Sequence, residues 1–350
     1  MDSPVGGWCN GIVTAFPFPL SVLDLFPVGP SLPPAEVIRR SVDVARQAEE
    51  LGFVRYWVAE HHNMPGIATS APEVLIAHVA SATRTIRVGA GGMMVPNHSP
   101  LHLIEVFRTL EALHPGRIDL GLGRAPGTDP VAAAALHPSP EHDVDQRLAE
   151  LLAFERGSFP PDHPFRRITP MPSDVSLPPI WMLGSTLAGA GIAASQGLRY
   201  AFAGHFAMRF ARQAIAHYYA HFRPSAALAE PEAILAVTVV CGEDDEHARR
   251  LAAPLKLGVV RIRTGKPARL ASIEEALAYQ FTPEEEAIAD DFLNGAAIGG
   301  PDRVRARLQE LVDDTGADEI MLSTMIADTG ERIASYRRVA EAMAVSRPTA

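Results

Sequence analysis

The chain has 350 residues, 47% of them hydrophobic, and a net charge of -10 from 41 acidic against 31 Lys and Arg residues. That acidic balance argues against nucleic acid or an anionic membrane as a partner. Two cysteines, Cys9 and Cys241, exclude a disulfide framework and a Cys-based zinc site, and no apolar run approaches the ~20 residues of a membrane helix.

Residues 1–19 are fairly apolar, but Asp2 is their only charge and no small-residue cleavage site stands out. They read as a loose N-terminal extension and not as a signal peptide, so a reduced, cytoplasmic protein is expected. Short apolar runs then alternate with longer stretches of helical period. The strand candidates are 20–25, 55–60, 86–92, 117–122, 179–183, 199–203, 234–241 and 318–323. Helix candidates are 34–51, 71–83, 100–113, 141–156, 187–196, 206–221, 243–257, 301–315 and 330–344. The first is typical: it opens on Pro33-Pro34, places Ile38, Val42, Ala45 and Ala48 on one face, and stops at Gly52. Gly197 and Gly316 close later helices in the same way. Strands apolar on both faces and alternating with helices imply a helix-covered parallel sheet. Eight such units favour one closed (β/α)8 barrel over residues 20–350, with 259–297 a partly helical insertion between strands seven and eight.

In such a barrel the C-terminal ends of the strands form the active-site face. The second strand candidate runs out of Tyr56-Trp57-Val58-Ala59 straight into Glu60-His61-His62-Asn63. The third leads through Gly91-Gly92 to "VPNHSP", which carries His98, and the fourth ends in "GLGRAPGTD". The fifth ends in Gly184-Ser185-Thr186 and the sixth in "AGHF", with His205 and Phe206. Gly121-x-Gly123 resembles part of a dinucleotide fingerprint, but Pro126 stands where its third glycine belongs. Arg124 is either half of a surface ion pair with Asp129 or, with the helix N-terminus after Gly184, an anion site. His61 and His62 are either satisfied structural histidines or, with Glu60 and His98, metal ligands of a barrel hydrolase. The metal reading lacks the usual His-x-His on strand one, which reads "LSVLDLF", so no metal is expected. Phe16, Phe18, His205 and Phe206 are open between substrate pocket and plain packing.

The segments "SVLDLFPV", "RYWVAEHHNMPGIATSAPEVLIAHVA", "IRVGAGGMMVPNHSPLHLIEVFRTLEALHPGRIDLGLGRAPGTDP", "PPIWMLGST" and "IGGPDRVRARLQELVDDTGADEIMLS" resemble the bacterial luciferase-like family of flavin-dependent monooxygenases. The likeness runs from Leu20 to the final helix, and its "AEHHN" and "GLGRAPGTD" forms are similar to single-chain, FMN-using members. It implies a (β/α)8 barrel, FMN bound in its reduced form, and O2 as co-substrate. Arg124 and Ser185 match residues that hold the flavin phosphate, with Gly184 and Thr186 assisting. His61 matches a histidine needed for oxygenation, and Glu60 is expected to orient it. Gly91-Gly92 matches a cis peptide under the isoalloxazine ring, a place where β-carbons would collide with the flavin. The cysteine that luciferase places near the flavin is Gly123 here, so that role does not transfer.

The implied reaction passes through a C4a-hydroperoxide of FMN delivered by a separate flavin reductase. The substrate would be hydrophobic, an aromatic polyketide to hydroxylate or epoxidise, or a long-chain aldehyde. The scarcity of lysine, Lys256 and Lys266 alone, suggests a GC-rich host, and the resemblance includes actinobacterial secondary-metabolite tailoring enzymes, which leans toward the first. The family also implies a homodimer. The competing readings are a deazaflavin-dependent hydride-transfer enzyme and a flavin-binding protein without catalysis.

Overall fold

The computed structural model describes residues 16–136 and 144–344. Most of the expected N-terminal extension, with Cys9, and the first residues of the 141–156 helix lie outside the described residues. Strands β1 (Leu20–Asp24), β2 (Arg55–Val58), β3 (Arg87–Met94), β4 (Ile118–Gly123), β5 (Ile180–Gly184), β6 (Arg199–Phe202) and β7 (Ala233–Cys241) follow one another. A three-residue β8 (Ala297–Gly299) and the last strand, β9 (Glu319–Ser323), complete the set. All pair in parallel in the order β6-β5-β4-β3-β2-β1-β9-β7-β8, and a further β6–β7 pairing closes eight of them into a barrel. The short β8 stays outside that ring, on the end of β7, where Val239 pairs with Ala297 and Cys241 with Gly299.

The helices wrap this ring. They are α1 (Pro34–Glu50), α2 (Pro72–Ala82), α3 (Pro100–Leu113), α4 (Pro130–Leu136), α5 (Val144–Arg156), α6 (Leu187–Gln196), α7 (Gly204–Ala207) and α8 (Ala211–His221). They continue with α9 (Asp245–Arg263), α10 (Ile273–Ala278), α11 (Pro283–Leu293), α12 (Pro301–Thr315) and α13 (Thr329–Met343). Gly52, Gly197 and Gly316 take φ of 84°, 62° and 69°, the left-handed turn that returns each helix to a strand.

Both faces of the strands are buried, which is why the strands read as unbroken apolar runs; all nine residues of β7 are buried. Outward-facing Leu20, Val22, Tyr56, Val58 and Tyr200 meet the helices, while inward-facing Leu23, Trp57, Trp181, Ile234 and Met321 fill the barrel. Each such side chain contributes about 1.5–3 kcal/mol by leaving water. Trp57 and Trp181 meet edge to face, their ring centroids 5.6 Å apart.

At the N-terminal end the barrel interior is charged and cross-linked. Arg55 bridges Asp119 (2.9 Å) and Glu319 (2.8 Å), Arg87 bonds Asp119 at 2.6 Å, and Trp57 Nε1 donates to Asp119 at 3.0 Å. Ser21 donates to Glu319, and the Arg55 guanidinium lies 4.9 Å above the Trp181 ring.

Three local differences from the sequence expectations have physical causes, and the 259–297 insertion is partly helical as expected. The helix expected to end at 257 continues through Gly258 to Arg263, because Val259 and Val260 are buried and outweigh the glycine's cost. The segment expected as one helix over 206–221 is broken into α7, a 3-10 turn (Met208–Phe210) and α8. Residues 130–136 form an unexpected short helix, α4, whose first turn is held by Asp129 accepting from the backbone N–H groups of Val131 and Ala132. The region after α9 holds α10, α11 and β8, with α11 opened by a Thr282–Glu285 capping box.

Candidate functional site

A cavity of about 240 Å³ opens at the C-terminal mouth of the barrel. Its floor is the top of the barrel core, including Leu23, Trp57, Ala236 and Met321. Around the rim stand His61 from β2, Gly91 from β3, Arg124 after β4, Gly184-Ser185-Thr186 after β5, and His205-Phe206 after β6. The structure thus brings together eight of the residues singled out from the sequence. Glu60, Gly92 and His98 lie outside the lining. Phe18 is buried in the outer core and Phe16 packs against it, its ring 6.0 Å from that of Phe53, so both are packing residues.

The Gly91–Gly92 peptide is cis, as expected. Protein atoms by themselves already exclude β-carbons at both glycines, independently of any flavin. A Cβ on Gly91 would sit 2.8 Å from Leu23 Cδ1 and 2.9 Å from Trp57, and one on Gly92 would sit 2.8 Å from the Gly121 carbonyl oxygen. At Gly123, the added Cβ would meet Met94 Sδ at 2.6 Å, so a methionine sulfur occupies the place beside that position.

Glu60 does not orient His61. Its buried carboxylate accepts from His62 Nε2 (2.9 Å), Asn97 Nδ2 (2.8 Å), His98 Nε2 (2.8 Å) and the Met94 N–H (2.7 Å). Successive residues of an extended chain point to opposite sides. When His61 faces the pocket, Glu60 must face away, into the loop after β3. Burial pushes the Glu60 pKa up, but the bonds from His98, Asn97 and Met94 outweigh it and hold the carboxyl below its ordinary value. Of His61 and His62, it is His62 that is held as a structural histidine by Glu60, which also takes His98.

His61 is held by the loop after β4. Its Nδ1 lies 3.2 Å from the Gly127 carbonyl oxygen, and its N–H donates to Thr69 O. A carbonyl can only accept, so Nδ1 carries the ring proton and Nε2 keeps a free lone pair. Burial lowers the His61 pKa, with the Gly127 bond and the Glu60 charge pulling the other way. His61 is therefore a neutral base at physiological pH.

Arg124 pairs with Asp145 at 3.0 Å, not with Asp129, which instead takes a bond from Asn63 Nδ2. The Arg124 Nε is buried and has no partner. Thr186 stands at the N-cap of α6 but makes no capping bond, so its side chain leaves the first N–H groups of that helix free. Gly184 and Gly189 bring this turn close, since a Cβ on Gly184 would lie 3.3 Å from the Gly189 Cα.

The floor residues Leu23, Trp57 and Met321 were not singled out from the sequence. The signal that could have found them is strand alternation, which points them inward along β1, β2 and β9.

A closed parallel barrel with an apolar cavity and a cationic corner at its C-terminal mouth defines a small-molecule enzyme of the barrel class. The chain belongs to the luciferase-like monooxygenase family, whose sequence model it matches over residues 18–319. The protein YvbT of Bacillus subtilis strain 168 is 42% identical over 325 residues, 92% of this chain and 96% of that one. A luciferase-like monooxygenase of Escherichia coli K12 is 39% identical over 319 residues, 90% and 94% of the two chains. The crystal structure of apo-MsnO8 is similar with a TM-score of 0.84 at 38% identity, covering 93% of this chain and 97% of that one.

Proposed function

We propose that this monooxygenase binds FMN in the barrel mouth, receives it reduced from a separate flavin reductase, and uses it with O2 to oxygenate a hydrophobic organic substrate. The observation that carries the reading is the corner formed by Arg124 and α6. An unpartnered guanidinium Nε beside an uncapped helix N-terminus is a site for a phosphate dianion. Next to that corner the cavity is lined by Leu23, Trp57, Gly91, Leu183 and Met321, which suits a flat apolar ring. The residues present therefore fit the cofactor. Bound FMN would supply the activation of dioxygen that no side chain here can perform.

The chain's own contributions follow from the geometry. Arg124, Ser185, Thr186 and the α6 backbone anchor the phosphate, and Gly184 with Gly189 lets the backbone approach it. The apolar floor excludes water from the reacting region. His61 Nε2, a neutral base facing the cavity, takes up or returns the proton that oxygenation requires. The lining offers a substrate little besides apolar surface, and both an aromatic polyketide and a long-chain aldehyde match it. The reading takes the reductase to be a separate chain, as in the two-component scheme that the family resemblance implies. The reading takes the protein as a cytoplasmic homodimer; no described helix is long and apolar enough to cross a membrane.

Titration with FMN and riboflavin tests the reading. A charge-assisted bond is worth about 1.5–3 kcal/mol, so Arg124→Ala weakens FMN binding roughly tenfold or more and leaves riboflavin unchanged. Equal losses for both ligands would make Arg124 structural. Binding of a deazaflavin in preference to FMN would move the protein to a hydride-transfer function.

A further inference from the structure

The proposed phosphate corner accounts for Arg124, Ser185 and Thr186, which leaves the polar atoms on the remaining wall of the cavity. Three side chains there carry nitrogen: Trp57, His61 and His205. Trp57 Nε1 is already given to Asp119 at 3.0 Å. His61 spends Nδ1 on Gly127 and keeps Nε2, which the proposed chemistry uses. His205 differs from both. It is only 9% exposed, lines the cavity, and its Nδ1 is buried with no hydrogen-bond partner. Phe206 packs on its imidazole with ring centroids 4.0 Å apart, which limits its freedom to turn elsewhere.

A buried polar atom without a partner is costly, and the usual resolution is a ligand that completes it. Resting on the FMN reading, the ligand with unmet polar groups is the isoalloxazine, whose pyrimidine edge carries both N–H and carbonyl groups. His205 sits just after β6, and the phosphate corner sits just after β5, its neighbour in the ring. His205 and the phosphate corner thus face one cavity from neighbouring strand ends.

We propose that His205 is a flavin-binding residue whose Nδ1 hydrogen-bonds the pyrimidine edge of the isoalloxazine ring. Burial and the neighbouring His61 press the His205 pKa down to about 4, against an opposing pull from the Ala236 backbone. The imidazole that meets the ring is therefore neutral, and adds no charge to the cofactor's electronics.

The test separates this contact from the phosphate anchor, because it belongs to the ring that FMN and riboflavin share. Oxidised FMN and riboflavin are titrated into wild type, His205→Leu and His205→Gln, with flavin fluorescence as the readout. His205→Leu is expected to weaken both ligands equally, by roughly three- to tenfold, and His205→Gln to retain most of the affinity. In the wild-type protein with 15N-labelled histidine, riboflavin is expected to shift the His205 Nδ1 resonance. That measurement needs no substitution at a buried position. An unmoved Nδ1 resonance at riboflavin saturation overturns the proposal, as does a folded His205→Leu protein whose losses are confined to FMN. A wild-type protein that binds neither flavin overturns the proposed function itself and is distinguishable from both.

Discussion

The polar side chains inside the base of this barrel are bonded among themselves, whereas two of those lining its mouth carry buried atoms with no partner. At the N-terminal end Arg55, Arg87, Asp119, Glu319 and Ser21 are joined in one network. At the C-terminal mouth Arg124 Nε and His205 Nδ1 are buried without partners, and α6 starts uncapped. A closed network stabilises one geometry and offers nothing to a ligand. An open set costs stability until something binds. The difference separates a structural base from a functional mouth within one continuous core, and each end predicts its own response to damage.

The largest effect is expected at the base. Asp119 is fully buried and accepts from Arg55, Arg87 and Trp57. Asp119→Ala leaves two guanidinium groups without their shared carboxylate, and breaking a buried pair in this way costs roughly 3–5 kcal/mol. Urea denaturation should show that loss while the folded fraction binds FMN with unchanged affinity. A variant that keeps its stability but loses FMN would mean that the base and the mouth are not separable in the way their bonding suggests.

Acidification should reach the mouth before the base. His205 has an ordinary pKa of 6.5 and is held at about 4 in the fold, so the unfolded chain binds its proton first. Stability from the neutral imidazole is complete above about pH 6.5 and is lost as pH falls toward 4, by up to about 3 kcal/mol. At the base, burial pushes Asp119 up, but Arg55 and Arg87 outweigh it and hold the carboxyl below its ordinary 3.8. Its contribution is present above that value and disappears only below it. Denaturation midpoints measured between pH 7 and pH 4 should therefore decline in wild type and decline less steeply in His205→Phe, where the lowered pKa of His61 still acts. An equal slope in both proteins would show that His205 protonation is not the cause.

How much of this was legible beforehand depends on the range of the interaction involved. The barrel was readable because its signals are local: apolar runs buried on both faces, and Gly52, Gly197 and Gly316 at helix ends, all with positive φ. The polar residues at strand ends were readable for the same reason, since the fold itself places strand ends at the mouth. The partner of Glu60 was not. Adjacent positions suggested His61, whereas the bonds run to His98, 38 positions along the chain, and to His62. The base network joins Arg55 to Glu319 across 264 positions, a pairing no local pattern announces. The break between α7 and α8 was hidden because it depends on packing: a Cβ on Gly295, after α11, would lie 2.3 Å from Met208.

The smallest predicted effect lies at the edge of the mouth and concerns Asp145. Its carboxylate takes Arg124 Nη2 at 3.0 Å, with the two side chains 34% and 56% exposed. An exposed pair of this kind contributes about 0.2–1 kcal/mol, and salt screens it further. With a phosphate dianion in the corner, the same carboxylate becomes a nearby like charge competing for one guanidinium. Asp145→Ala should therefore change folding stability by less than about 1 kcal/mol and strengthen FMN binding, by no more than roughly fivefold. Riboflavin affinity should stay constant, and the FMN gain should shrink as ionic strength rises. A weaker FMN complex in Asp145→Ala would reverse the assignment and show that Asp145 holds Arg124 in its anion-binding pose. Both outcomes are read from one pair of titrations at two salt concentrations, and they differ in sign, so even a small effect decides between competitor and positioning partner.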